Sequence, residues 1–168
     1  MLKKYVSRLM LISAVLVLAA CSEEKVGPED IEWDRDSCSL CRMFVSDAQF
    51  AAEVRGGEKR ELHKFDDIGC AVNWLNRQPW AADETTEIWV AAYTSTRENV
   101  VWLDAREARY VEGAMSPMNY GLKAEAPMSP LQGIGFVEMT TRILADKPNH
   151  ICVAPTMPKV PLDKMGNE

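Results

Sequence analysis

The stretch that decides the fold runs from Phe44 to Arg77 and reads FVSDAQFAAEVRGGEKRELHKFDDIGCAVNWLNR. Its first part, Phe44–Arg55, is strand-like, and the pair Gly56-Gly57 follows it directly. Glycine reaches positive φ at little cost, so this pair predicts a tight hairpin turn. Arg60–Phe65 is then predicted to return as the second strand of the hairpin.

A helix is predicted directly after the hairpin. Asp66 or Asp67 is suited to cap its first turn, because a carboxylate accepts hydrogen bonds from the free N–H groups there. The helix is predicted to run to about Arg77, and Pro79 ends it. Its apolar residues recur at the i, i+3, i+4 and i+7 spacing of one helix face, namely Ile68, Ala71, Val72 and Leu75.

The rest of the chain predicts further strands and little helix. Ile88–Tyr93 and Val100–Asp104 form a second predicted strand pair. Beyond Gly113 there are only short apolar pieces, at Tyr120–Ala126 and Gly135–Thr141. These patterns predict a small α+β domain with low helix content, built on hairpins.

We expect this domain to span residues 37–147, with lobes at about 37–80 and 85–147. Residues 21–36 are charged and contain a glycine and a proline, so they are predicted to be a tether. Residues 148–168 are rich in proline and polar residues, which predicts an irregular tail.

The first twenty residues have the composition of a signal peptide. Basic residues between Lys3 and Arg8 precede an apolar run, Leu9–Ala20, that is shorter than the roughly 20 residues needed to span a bilayer. The run ends in Leu18-Ala-Ala-Cys21, which resembles the bacterial lipobox. We therefore expect Cys21 to become an acylated amino terminus that holds the domain on a membrane of the cell envelope.

The charge of the chain disfavours one class of ligand. Loss of residues 1–20 takes the net charge from −6 to −9, because that segment holds three basic and no acidic residues. Nucleic-acid binding rests on lysine and arginine neutralising phosphates, so we predict no nucleic-acid partner.

Four cysteines remain after Cys21, namely Cys38, Cys41, Cys70 and Cys152. In an oxidising compartment the default expectation for them is two disulfides. Cys70 and Cys152 each stand alone in the sequence, whereas the other two form the motif Cys38-Ser-Leu-Cys41-Arg-Met43. Two thiols at this spacing can converge on one ion, and soft sulfur ligands, including the Met43 thioether, favour Cu(I). The same motif also occurs in structural disulfides, in redox dithiols and in half zinc sites.

A second sulfur-bearing motif is Met115-Ser-Pro-Met118, which lies between Gly113 and Gly121. The proline and glycines predict a loop rather than a helix or strand, and loops on a scaffold often carry function. Met128 and Met139 are expected to be packing residues, because methionine fills irregular gaps in cores.

Other kinds of site have weaker support. A closed zinc site needs four Cys or His ligands, usually as two close pairs, and the chain has neither a second close pair of cysteines nor a close pair of histidines. His63, on the predicted return strand, is expected to be a packing or surface residue. The sequence has no Ser–His–acid pattern that spacing supports, no glycine-rich phosphate loop and no His-Glu-x-x-His motif. A thiol–disulfide oxidoreductase using Cys38 and Cys41 stays an alternative, although no strand-to-helix context precedes the motif. The other alternative is a structural lipoprotein whose cysteines only form disulfides.

The order of several separated motifs resembles the NosL family. The resemblance covers residues 21–125 and is carried, after the lipobox, by Cys38-x-x-Cys41-x-Met43-Phe-Val, Lys64-Phe-Asp-Asp67, Trp102-Leu-Asp-Ala105, Ala108-Arg-Tyr-Val111 and Ser116-Pro-Met118-x-Tyr-Gly121. Asn119 departs from the family pattern, which usually has glycine at this position.

The resemblance implies a periplasm-facing, non-enzymatic Cu(I) chaperone with a fold of ββαβ-like lobes. Its partners would be the apo-enzyme of nitrous oxide reductase and the associated ABC-type membrane maturation complex. The implied copper ligands are Cys38, Cys41, Met43 and Met118, with the choice between the two cysteines left open.

Overall fold

The computed structural model describes residues 25–145. The elements in chain order are β1 (Ala52–Gly56), β2 (Glu61–Phe65), α1 (Ile68–Leu75), β3 (Glu87–Ala91), β4 (Trp102–Asp104), β5 (Arg109–Glu112), β6 (Leu122–Glu125) and α2 (Phe136–Ala145). The α+β class and the low helix content are therefore confirmed. Neither helix of residues 25–145 has the length and apolar character needed to cross a membrane. The predicted signal peptide, Cys21, Cys152 and the tail lie outside the described residues.

The predicted first hairpin is present and forms half of a larger sheet. β1 and β2 pair antiparallel with Ala52 opposite Phe65, and the turn between them uses positive φ at Gly57 and Arg60. β1 is shorter than the predicted Phe44–Arg55. The chain turns within this range because Asp47 accepts hydrogen bonds from the N–H groups two and three residues on, a local bonding pattern that competes with a strand.

The sheet has four antiparallel strands in the order β2-β1-β3-β4. β3 pairs with β1, with Val90 opposite Ala52, and with β4 on its other side. β1 belongs to the first expected lobe and β3 to the second, so this sheet spans both parts of the chain.

α1 covers one face of the sheet, and its cap is the predicted Asp67. The Asp67 carboxylate accepts a hydrogen bond from the Gly69 N–H, and its extended backbone starts the helix. The four predicted apolar positions are all buried, and they pack in one core with the inner residues of the strands, among them Val54, Phe65, Ile88 and Val90.

β5 and β6 form a separate two-stranded sheet that closes the core at its other end. They pair antiparallel with Arg109 opposite Glu125, and a single parallel bridge between Ala92 and Ala124 joins them to the end of β3. Tyr110 on β5 is fully buried, and its hydroxyl donates to the Ala105 carbonyl at 2.7 Å. α2 packs against α1 and β5.

Residues 27–36, predicted as part of a tether, lie across the outer face of the sheet; they are called the N-terminal segment below. Arg55 on β1 is almost fully buried, and it donates to the Gly27 carbonyl at 3.0 Å and to the Glu29 carboxylate at 2.7 Å. Lys64 on β2 contacts the Asp36 carboxylate at 2.7 Å. Buried charges require partners, and the N-terminal segment supplies them.

Glu53, beside Arg55 on β1, is buried beneath the N-terminal segment. One carboxylate oxygen accepts the Glu29 N–H at 2.9 Å, and the other has no hydrogen-bond partner in the described part of the chain. Burial raises the pKa of Glu53 from 4.5 to about 7. An acid with a higher pKa in the native state keeps its proton longer there, so native stability falls as pH rises from about 4.5 to about 7.

We expect Glu53→Gln to remove this part of the pH dependence. Relative to the variant, the wild type should lose on the order of 2 kcal/mol of unfolding free energy as the pH rises from about 4.5 to 7. Urea unfolding followed by tryptophan fluorescence across that range measures the difference. Glu84→Gln, at an exposed position, is the control, and parallel pH profiles for Glu53→Gln and the wild type would contradict the expectation.

Candidate metal centre

Three thiols meet at one end of the core, from two distant stretches of chain. The Sγ atoms of Cys38, Cys41 and Cys70 all lie within 4.8 Å of one another, and within residues 25–145 none of the three forms a disulfide. An ion bonded at roughly 2.3 Å to three thiolates holds their sulfur atoms about 4 Å apart, so at most a small contraction of the cluster is needed. Cys38 and Cys70 are fully buried, while Cys41 is half-buried.

The loop that carries Cys38 and Cys41 folds back on itself. The Cys38 N–H donates to the Met43 carbonyl at 2.8 Å, and the Arg42 N–H donates to the Cys38 carbonyl at 3.0 Å. Arg42 has a φ of +67°, which reverses the chain direction. The Ser39 N–H also donates to the Lys64 carbonyl at 2.9 Å, which places the loop at the end of β2.

Cys70 joins the site because α1 begins directly beyond β2. It is the third residue of the helix, and its N–H donates to the Asp67 carbonyl at 3.0 Å. A thiolate is stabilised near a helix N-terminus by the helix dipole. Cys70 stands alone in the sequence, but the fold brings it into the cluster. Its place in the first turn after a capping aspartate was the available signal.

The three thiols are arranged to favour one thiolate. Hydrogen bonds from the Cys41 and Cys70 thiols lower the pKa of Cys38 well below its usual range, against the effect of burial. The backbone N–H groups of Cys41 and Asp66 also point to Cys38. The pKa of Cys41 is raised, chiefly because its thiol donates to Cys38. Metal binding releases the remaining thiol protons, since the thiolate is the form that coordinates.

Met118 lies in the same core as the buried thiols. It is 2% exposed and belongs to the cluster that contains Cys38 and Cys70. Residues 113–121 contain no helix or strand, as the Pro-Gly pattern predicted. Met43 and Met115 differ, because their side chains are 46% and 92% exposed. The four-residue ligand set of Cys38, Cys41, Met43 and Met118 stays a prediction.

The loop at residues 113–121 is fixed to the first turns of α1. The Met118 N–H donates to the Asp67 carboxylate at 3.3 Å, and Asn73 donates to the Tyr120 hydroxyl at 3.0 Å. A Cβ atom at Gly69 would overlap the Tyr120 ring, so only glycine allows this close approach. Asn119 has a φ of +59°, a left-handed conformation that asparagine tolerates better than most residues, which explains why it can replace the family glycine.

His63 is a packing residue at a different place. Its ring lies 4.2 Å from the Trp74 ring and 6.4 Å from the Trp80 ring, measured between centroids. Burial lowers its pKa, which favours the neutral imidazole. Among residues 25–145, the group of candidate ligands that converge contains three cysteines and no histidine or carboxylate.

We expect Gly69→Ala to destabilise the protein, although alanine normally favours a helix over glycine by about 1 kcal/mol. The added methyl group would push Tyr120 and its loop away from α1, and such overpacking costs about 1–3 kcal/mol. Urea unfolding measures the loss. Gly135→Ala is the control, because its Cβ would meet only ordinary contact, 3.6 Å from an Arg109 nitrogen. Gly69→Ala should cost much less when Tyr120 is also alanine, and an equal cost in both backgrounds would contradict the steric explanation.

Comparison with known protein families gives a match. The family model described as NosL matches residues 31–129, which is more than half of the chain and includes all three thiols and Met118. Comparison with curated proteins gives no match. The chain therefore belongs to the NosL family, which supports a copper-related role.

Proposed function

We propose that this protein is a Cu(I) chaperone that binds one cuprous ion at the Cys38–Cys41–Cys70 cluster and passes it on. The observation that carries the proposal is the convergence of three thiols within 4.8 Å, with no harder ligand in the group. Soft thiolate donors select Cu(I) over hard cations such as Mg²⁺ and Ca²⁺.

Each thiol has its own part in loading the ion. Cys38 is the first to be a thiolate, because the two neighbouring thiols and two backbone N–H groups donate to it. It attracts the cuprous ion, and the ion then displaces the protons of Cys41 and Cys70. Met118 is placed in the same core and is proposed as a further, uncharged donor. A thioether cannot form a disulfide, so it would keep a donor in place under oxidising conditions.

Delivery rather than storage is supported by the number and the placement of the ligands. Three thiols from a loop and a helix end make a site for a single ion, and one of the three is half-buried. The proposed recipients are the apo-enzyme of nitrous oxide reductase and its ABC-type maturation complex. The proposed location is the periplasm-facing side of the cell envelope, with Cys21 as the lipid attachment site.

A thiol–disulfide oxidoreductase is the second candidate function, since the lowered pKa of Cys38 beside a second thiol is also a property of redox dithiols. Reduction of insulin disulfides by the purified domain distinguishes the two functions. Turnover in that assay, together with weak Cu(I) binding, would favour the oxidoreductase.

Anaerobic titration of the reduced protein with Cu(I), in competition with a chromogenic chelator, tests the chaperone proposal. We expect one tightly bound ion per chain. Cys38→Ser should weaken binding at least about 100-fold, because even outer-shell changes at metal sites cost 10–100-fold. Met118→Leu keeps the apolar volume and should weaken binding if the thioether is a ligand, while Met128→Leu, at a residue that is 93% exposed, is the matched control. Absence of a stoichiometric complex in the wild type would overturn the proposal.

A further inference from the structure

The three thiols differ in how accessible they are. Cys38 and Cys70 are each 0% exposed, whereas Cys41 is half-buried. We infer that Cys41 is the exchange ligand, the one an incoming partner displaces, and that Cys38 and Cys70 are the pair that retains the ion until transfer. This inference rests on the proposed Cu(I) function and specifies the order in which its bonds change.

The two retained thiols are held in place by their surroundings. Cys70 lies in the first turn of α1, and its N–H is bonded to the capping residue Asp67 at 3.0 Å. Cys38 is bonded through both its N–H and its carbonyl within the loop, and both cysteines belong to the main core cluster. Moving either sulfur would disrupt the packing of the core, which costs free energy because protein interiors are close-packed.

Cys41 has the opposite surroundings. It precedes Arg42, which has positive φ and an exposed side chain, and the next two residues, Met43 and Phe44, are 46% and 58% exposed. Cys41 therefore lies at the exposed side of the loop. Its side chain packs only against the edge of the core cluster, so rotating it disturbs less packing than moving Cys38 or Cys70 would.

The residues around this opening indicate what kind of donor can enter. Met43 and Phe44 present apolar surface, and Arg42 adds one positive charge. A thiol or thioether carried on an apolar surface of the acceptor fits these neighbours, and it matches the softness of the ion. With a thiol as the entering group, its sulfur bonds to the cuprous ion while the bond to Cys41 breaks. Its proton passes to the Cys41 sulfur, and copper stays in the +1 state throughout.

The chemistry of Cu(I) makes this order feasible. Soft thiolates bind Cu(I) well even at low coordination number, so Cys38 and Cys70 alone can hold the ion after Cys41 leaves. The entering donor restores three-coordination, and no free copper forms. If a buried thiol left first, the ion would be held by a ligand pair that includes the half-exposed Cys41.

The test compares Cys41→Ala with Cys70→Ala, each loaded anaerobically with one equivalent of Cu(I). Alanine replaces a small buried thiol without adding a polar group, and circular dichroism checks that both variants are folded. Competition with a chromogenic chelator should show at least a tenfold larger loss of affinity for Cys70→Ala than for Cys41→Ala. Transfer to excess glutathione should be faster from Cys41→Ala than from the wild type. Equal or reversed losses of affinity would overturn the inference.

A measurement on the wild-type protein avoids dependence on the variants. Brief treatment of the copper-loaded protein with iodoacetamide, followed by mass mapping, should modify Cys41 before Cys38 and Cys70. Modification of Cys38 or Cys70 first would refute the assignment of Cys41. If the wild type forms no stoichiometric Cu(I) complex, the proposed function itself fails. If Cu(I) binds tightly but Cys38 or Cys70 is modified first, only the inference about the exchange ligand is refuted.

Discussion

Asp67 joins two distant parts of the chain through a single buried carboxylate. One oxygen accepts the Gly69 N–H at 3.0 Å and starts α1, and the other accepts the Met118 N–H at 3.3 Å. Burial raises the pKa of this carboxyl to about 6, so the bonds to it offset an unfavourable desolvation. The position of Cys70 and the position of the Met118 loop both depend on this one residue.

Lys64 makes the corresponding connection on the other side of the site. Its ammonium contacts Asp36 and the Asp30 carbonyl, while its own backbone carbonyl accepts the Ser39 N–H of the cysteine loop. The N-terminal segment and the loop that carries Cys38 and Cys41 are thereby held to the end of β2, close to Asp67 in the sequence. Lys64 thus anchors the loop that carries Cys38 and Cys41, and Asp67 anchors the helix turn that carries Cys70.

Local sequence patterns predicted the first hairpin and α1 well, because turns and helix caps are determined by neighbouring residues. Gly56-Gly57 fixed the first hairpin, and one capping aspartate with a single apolar face fixed α1. The contribution of Cys70 was not predictable from spacing, since it arises only when α1 packs beside the cysteine loop. The N-terminal segment was misjudged for a related reason. Its charges look solvated in the sequence, and their partners on β1 and β2 become evident only when the sheet has formed.

Assembly of the site from a loop and a helix end suits the proposed function, which requires that an ion be both held and released. Cys38 and Cys41 share one loop, so their separation is set by short-range hydrogen bonds, whereas their distance to Cys70 is set by the packing of that loop against α1. Binding of the proposed ion would therefore stabilise the native packing, because the unfolded chain does not hold these thiols together. The same coupling means that a partner contacting the exposed edge of the loop can weaken the site without disturbing the core. If all three thiols lay on one rigid helix or strand, a partner could not weaken the site by moving one of its parts.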